Sequence, residues 1–107
     1  MNVKVYRDPH GKESCLEWID SIKDVTIQRR IRKRLRRVEE GNLGDYASVG
    51  GGIYELRLHF GAGYRIYYSY LDTETILLLT GGDKSTQEHD IAQAKEYWEE
   101  HQRSTIS

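Results

Sequence analysis

Three consecutive strands that carry cations constrain the fold of this chain more than any other feature. They lie between Gly52 and Gln87, in GIYELRLHFGAGYRIYYSYLDTETILLLTGGDKSTQ. Because side chains alternate between the two faces of a sheet, Glu55, Arg57 and His59 should share one face of the first strand, opposite its leucines. The glycine-bracketed turn that follows predicts antiparallel pairing with the second strand.

The second strand, GYRIYYSYL, places Arg65 and Tyr67 on one face. Pairing of the two strands can bring them beside Arg57 and His59, and Lys84 adds a third cation at the exit of the third strand. Guanidinium groups with an imidazole and a phenol suit a polyanion with transferable protons, such as a phosphodiester during cleavage. These residues therefore predict a candidate RNA-cleaving surface on the sheet.

Simpler explanations exist for each of these side chains. An arginine on a strand is often solvated, and Arg57 can pair with Glu55. His59 can be an exposed residue at a strand end. Tyr67 can bury its ring and let its hydroxyl reach water, a common use of tyrosine. Both interpretations stay open at this level.

Two helices are predicted before these strands. Ser14, followed three residues later by Glu17, forms a capping box in front of the first helix. Asp24 can cap a second helix, which ends at Gly41. The two helices should form a hairpin with a narrow apolar seam. We expect residues 41–52, which are rich in glycine and lack periodicity, to be a loop.

The remaining elements complete an α+β order. NVKVY near the start reads as a short strand, TILLLTG as an interior strand covered on both faces, and Ser85 with Glu88 as a capping box before a C-terminal helix. The predicted order is β-α-α-β-β-β-α. We expect a small, mostly antiparallel sheet of three or four strands packed against the helical hairpin.

Length and composition indicate one domain, residues 1–107, with a modest core. No apolar run is long enough to span a bilayer and no secretory signal precedes the first helix, so we expect a cytoplasmic protein without a membrane partner. Cys15 is the only cysteine, which excludes an internal disulfide and favours a buried core residue. The four histidines have no metal-ligand spacing. We therefore expect neither metal nor cofactor.

The charge distribution separates two segments, although the net charge is only −1. Residues 23–37 carry eight basic side chains and one acid, whereas residues 83–100 carry six acids and two lysines. Four cations of the basic helix are candidate RNA-binding residues: Arg30, Lys33, Arg34 and Arg37. A solvated helix face, or a docking site for an acidic protein segment, is the alternative for this run.

Three segments carry a resemblance to a known family: GKESCLEWIDSIKD, RIRKRLRRVEEGNLGDYASVGGGIYELRLHFGAGYRIYY and LLLTGGDKSTQEHDIAQAKEYW. The combination of YELR, GxGYRIYY and LLxGGDKSTQxxDIxxA is specific. The chain resembles the RelE/HigB-like toxins of bacterial toxin–antitoxin modules, in particular the short group called addiction module killer proteins. The resemblance covers nearly the whole chain and implies a single RelE/ParE-superfamily toxin domain with the RelE-like fold.

The resemblance implies a ribosome-dependent, metal-free endoribonuclease that cuts messenger RNA and stops translation. Its partners would be the ribosome, messenger RNA and a cognate antitoxin, expected to be a small helix-turn-helix protein. Arg57, Arg65 and Lys84 match the strand positions that hold the scissile phosphate in such toxins, and His59 and Tyr67 would transfer protons or stack. ParE relatives share this fold but poison DNA gyrase, and a non-catalytic module that binds an antitoxin is a further alternative.

Overall fold

The computed structural model describes residues 1–106, which form an α+β fold of one five-stranded sheet and three α-helices. The strands are β1 (Asn2–Val5), β2 (Tyr46–Gly50), β3 (Ile53–Leu58), β4 (Tyr64–Asp72) and β5 (Thr75–Gly82). The helices are α1 (Ser14–Ser21), α2 (Val25–Glu39) and α3 (Gln87–Ile106), and a single 3₁₀ turn, Lys84–Thr86, precedes α3.

The sheet has the strand order β1-β5-β4-β3-β2. β1 runs parallel to β5, and every other neighbouring pair is antiparallel. All eight residues of β5 are buried, which confirms the prediction of an interior strand covered on both faces. The turn predicted after β3 is also confirmed, because only residues 59–63 separate β3 from β4.

One prediction about the sheet is wrong. The segment expected to be a loop, residues 41–52, contains strand β2, so that the sheet has five strands and the order is β-α-α-β-β-β-β-α. Gly50, Gly51 and Gly52 all have positive φ, at 87°, 65° and 80°. This backbone conformation, which glycine adopts without steric cost, folds β2 back onto β3. The glycines therefore make a turn.

The helical hairpin packs on one face of the sheet, as predicted. Ile31 and Val38 of α2 are buried together with Cys15 and Ile19 of α1, against Leu56 and other apolar residues of β3, β4 and β5. The Asp24 side chain caps α2 by accepting hydrogen bonds from the backbone of Thr26 and Ile27. Burial raises the pKa of the Cys15 thiol to about 12, so this residue stays a protonated core residue.

Both predicted capping boxes are wrong. Ser14 Oγ lies 2.9 Å from Thr80 Oγ1 of β5, and the first turn of α1 has no side-chain cap. The 3₁₀ turn before α3 is capped by Asp83, which accepts from the backbone N–H of Ser85 at 2.8 Å. Thr86 completes that capping box. In each case a hydroxyl or carboxylate outside the predicted motif supplies the better hydrogen bond.

The C-terminal helix α3 covers the other face of the sheet. Ala94 of α3 is buried with Ile53, Tyr67, Leu77 and Leu79, and Trp98 packs at the edge of this second cluster. The sheet thus separates two apolar layers, one beneath the hairpin and one beneath α3. Among the helices within residues 1–106, none combines the length and apolar character needed to cross a membrane.

Candidate functional site

A buried carboxylate holds two arginines on the α3 face of the sheet. Glu55 is 1% exposed, and its Oε1 accepts a hydrogen bond from Arg57 Nε at 2.8 Å. Arg65 Nε lies 3.6 Å from the same oxygen, while Gln87 donates to Oε2 at 3.1 Å. We call Glu55, Arg57 and Arg65 the glutamate clamp. The predicted pairing of Arg57 with Glu55 is confirmed.

Strand register explains why the clamp needs its carboxylate. Arg57 stands directly opposite Arg65 in the antiparallel pair of β3 and β4. Like charges at opposed positions repel, and a buried anion between them offsets that repulsion. The hydrogen bond from Arg57 to Glu55 and the charge of that carboxylate raise the pKa of Arg57. The Arg57 guanidinium group is therefore held in place while remaining charged, and Arg65 is paired with the same carboxylate oxygen.

Each clamp arginine keeps donors for a ligand. Arg57 NH1 lies 3.7 Å from Asp45 Oδ1, and Arg65 NH1 donates to the carbonyl of Gly63 at 3.0 Å. The other terminal nitrogen of each guanidinium group has no protein partner within residues 1–106. The Arg57 side chain is 40% exposed, so its guanidinium fork is fixed on one side and open on the other, which suits an oxyanion such as phosphate; the Arg65 side chain is 17% exposed.

Lys84 lies on the Arg65 side of the clamp. It is exposed in the 3₁₀ turn before α3, and its backbone N–H points to the carbonyl of Ala62 at 3.4 Å. A β-carbon added to Gly63 would lie 3.3 Å from Lys84 Cβ and 3.7 Å from Arg65 NH1. The structure therefore places Lys84 and Arg65 beside the same short turn, while the convergence of all three cations on one ligand stays a prediction.

A second group of cations lines a groove of about 430 Å³ between α2 and the end of β3. We call this the basic groove, and its lining includes the cations Arg30, Lys33, Arg34, Arg37 and Arg57, the carboxylate of Asp45 and the imidazole of His59. All four helix residues predicted to bind RNA thus line the same groove as two of the predicted catalytic residues. Arg57 is the residue that belongs to both the clamp and the groove.

The groove cations differ in how firmly they are held. Arg34 donates to the carbonyl of Leu43, and burial lowers its pKa with a further contribution from neighbouring Arg37. Arg30 lies over the ring of Phe60. Within residues 1–106, Lys33 and Arg37 make no hydrogen bond or ion pair with another side chain. These two exposed charges are available to an anion in the groove.

Asp45 connects His59 to the clamp. His59 is exposed beyond the end of β3, and its Nε2 is hydrogen-bonded to Asp45 Oδ2. The other carboxylate oxygen of Asp45 faces Arg57, and the Asp45 carbonyl accepts from the Arg57 backbone N–H at 3.0 Å. Sequence reasoning did not select Asp45, because nothing local to GNLGDY predicts contact with a residue fourteen positions away.

Tyr67 lies apart from the other predicted site residues. Its side chain is fully buried in the apolar layer beneath α3, and its hydroxyl has no hydrogen-bond partner among the described residues. Burial raises the pKa of this phenol, and the charge of Glu55 raises it further. The ring therefore offers no surface on which a base can stack, and we leave Tyr67 out of the proposed site.

No three His, Cys, Asp or Glu side chains within residues 1–106 converge as ligands for a metal ion. The expectation of a mechanism without metal or cofactor stays a prediction. The groups that the structure does bring together are cations held by carboxylates and one imidazole. They can bind an anion and, through the imidazole of His59, transfer a proton.

Comparison with known proteins assigns the family. The model of the phage-derived Gp49-like proteins (DUF891) matches residues 17–99, a range that contains every residue of the glutamate clamp and the basic groove. An uncharacterized protein of Haemophilus influenzae is 45% identical over 78 residues, which cover 73% of this chain and 79% of that protein. The chain therefore belongs to the phage-derived Gp49-like family.

Proposed function

We propose that this chain is the toxin of a bacterial toxin–antitoxin module and that it cleaves messenger RNA on the ribosome. The Gp49-like family has the character of addiction-module toxins. The observation that carries the proposal is the position of Arg57, which links a clamp built around a buried carboxylate to a groove lined by helix cations. A phosphodiester chain has the charge and the length to occupy both.

The arrangement supports a defined order of groups around one phosphate. His59 lies on the Arg57 side, where both contact Asp45, and Lys84 lies on the Arg65 side, where both adjoin Gly63. In-line displacement at phosphorus needs a proton acceptor and a charge-stabilising group on opposite sides of the phosphate. In this proposal His59 is the proton acceptor and Lys84 is the charge-stabilising group.

The proposed chemistry is internal transesterification. The ribose 2′-oxygen attacks the adjacent phosphorus and gives its proton to His59, the bond from phosphorus to the 5′-oxygen breaks, and the leaving oxygen takes a proton from water. Arg57 and Arg65 stabilise the charge that builds on the phosphoryl oxygens, and Lys84 stabilises the leaving oxygen. The products carry a 2′,3′-cyclic phosphate and a 5′-hydroxyl end.

The same groove fits a neutralising partner. An acidic segment of an antitoxin, expected to be a small helix-turn-helix protein, would complement the groove cations and compete with RNA. Occupation of the groove by such a segment would also cover Arg57 and His59. Toxicity and its suppression would then depend on one surface.

Removing two groove cations should weaken RNA binding in a salt-dependent way. Single-stranded RNA loses about 0.7 from the slope of log K against log salt for each phosphate contact removed. We therefore expect the Lys33→Gln, Arg37→Gln variant to lower the slope by about 1.4, measured by fluorescence anisotropy with a single-stranded oligonucleotide. The matched control is Arg29→Gln, Arg36→Gln, which removes two exposed charges of the same helix outside the groove. Equal slopes for both variants would argue against RNA binding in the groove.

Expression of the chain in bacteria separates the proposed target from DNA gyrase. We expect growth arrest with truncated transcripts, mapped by primer extension, and with intact chromosomal DNA. A gyrase poison would instead leave cleaved DNA and induce a damage response. Arrest with broken DNA and uncut transcripts would contradict the proposal and favour the ParE-like alternative.

A further inference from the structure

Phe60 occupies an unusual place for a phenylalanine. It lies in the turn after β3, is partly exposed, and forms part of the wall of the basic groove. One side of the ring carries the guanidinium group of Arg30, whose Cζ lies 4.1 Å from the ring centroid. Tyr64 approaches the ring at 6.0 Å, tilted by 54°. An apolar ring is thus kept at the edge of the basic groove.

The contact between Arg30 and Phe60 contributes only modestly to the stability of the fold. An exposed contact between a guanidinium group and a ring contributes about 0.5–1 kcal/mol. Leucine or isoleucine could cover the adjacent core without placing a flat surface in the groove. Aromatic rings and guanidinium planes share one further property, since nucleobases stack on both. The pair therefore has the composition of a stacking platform inside a polyanion-binding groove.

The position of the platform relative to the clamp also suits a nucleic acid. Phe60 follows Arg57 by three residues, so their Cα atoms are at most roughly 11 Å apart along the chain. Both residues line the same groove, with His59 between them in sequence. A phosphate bound by Arg57 and a base stacked at Phe60 would then belong to neighbouring parts of one strand.

We infer that Phe60 and Arg30 form a subsite for an unpaired nucleobase, next to the phosphate held by Arg57. This inference rests on the proposed RNA-binding function and adds to it a contact with a base. Grooves that bind single strands commonly combine cations along the backbone with aromatic side chains beneath the bases. The ligand class is single-stranded RNA. The subsite should bind a nucleotide that carries a base more tightly than an abasic one.

Binding of free oligonucleotides tests the subsite without cleavage, because the proposed cleavage requires a ribosome. The probes are a fluorescent pentauridylate and an abasic oligonucleotide with the same number of phosphates. Loss of one base-stacking contact costs on the order of tenfold in affinity. We expect the parent to bind pentauridylate about tenfold more tightly than the abasic probe. Phe60→Leu should bind both probes with the affinity that the parent shows for the abasic one.

Two further variants sharpen the comparison. Phe60→Trp keeps an aromatic plane and should keep the preference for the base-containing probe. Tyr46→Leu removes an exposed aromatic ring outside the groove and should change neither affinity. Thermal unfolding of each variant checks that the fold is retained. Phe60→Leu preserves an apolar side chain at this partly buried position, so we expect it to fold.

The outcomes distinguish the subsite from the proposed function. If the parent binds both probes equally, the subsite is excluded while phosphate binding in the groove stands. If the parent binds neither probe, RNA binding itself is excluded and the subsite with it. If Phe60→Leu keeps the base preference but loses affinity for an acidic peptide, the ring serves a protein partner and the inference is overturned.

Discussion

Replacing Arg57 by glutamine is expected to slow transcript cleavage on the order of a hundredfold, the loss typical of one donor that stabilises charge in a transition state. Arg57 is the residue shared by the glutamate clamp and the basic groove, so its terminal nitrogens lie where a bound phosphate would meet both. The amide of glutamine can still donate to Glu55. Single-turnover cleavage on programmed ribosomes measures the effect.

The control for this prediction is Arg36→Gln, which removes an exposed arginine of α2 outside the groove. Its cleavage rate should equal that of the parent. The fold of Arg57→Gln should persist because Arg65 still lies beside Glu55. A rate for Arg57→Gln within threefold of the parent's would exclude Arg57 from the reaction.

Removing both clamp arginines is expected to destabilise the fold. In the Arg57→Met, Arg65→Met variant, the carboxylate of Glu55 stays buried and keeps only Gln87 as a side-chain partner. An uncompensated buried charge costs about 3 kcal/mol, the lower end of the usual range, since solvent reaches this site from the side of Arg57. For a domain of this size that corresponds to a fall in Tm of roughly 10 to 20 °C.

Adding Glu55→Gln to the double variant should recover more than half of the lost stability. The neutral amide removes the buried charge and can still accept the hydrogen bond from Gln87. Urea unfolding followed by circular dichroism compares the three proteins. A triple variant no more stable than the double one would show that the cost arises from lost packing of the arginine stems.

The elements that the sequence predicted well are those whose apolar residues repeat according to which face of the element is buried. TILLLTG is apolar throughout because β5 lies at the interior of the sheet, and the stripe of α2 is apolar because one side packs on that sheet. The alternation in β4 is also confirmed, since Ile66, Tyr68 and Tyr70 all pack on the hairpin side. In these elements, the spacing of the apolar residues predicted both the type of element and the face on which each residue lies.

The elements that sequence reasoning missed depend on distant partners. β2 is a short edge strand with alternate residues exposed, so its sequence shows little apolar pattern. Its pairing with β3 is what makes this segment a strand. Ser14 bonds to Thr80, sixty-six positions away, and this contact replaces the predicted cap. Local capping rules cannot anticipate such a competitor.

The candidate site likewise has features that local sequence patterns predicted and features that depend on distant partners. Strand alternation placed Arg57 and Arg65 on one face, and the pairing with Glu55 was among the expected alternatives. The meeting of α2 with the end of β3, which puts Arg30 and Arg57 in one groove, follows from the tertiary packing alone. So does the link from His59 to Arg57 through Asp45.

The chemistry of the cut ends tests the proposed activity most directly. Transcripts are incubated with the purified chain in a reconstituted translation system, and their ends are identified by ligation with and without prior phosphorylation of the 5′-hydroxyl. The proposed transesterification predicts 5′-hydroxyl and 2′,3′-cyclic phosphate ends for the parent, and on the order of a hundredfold fewer of them for Arg57→Gln. Uncut transcripts, or cut transcripts that carry 5′-phosphate ends, would contradict it.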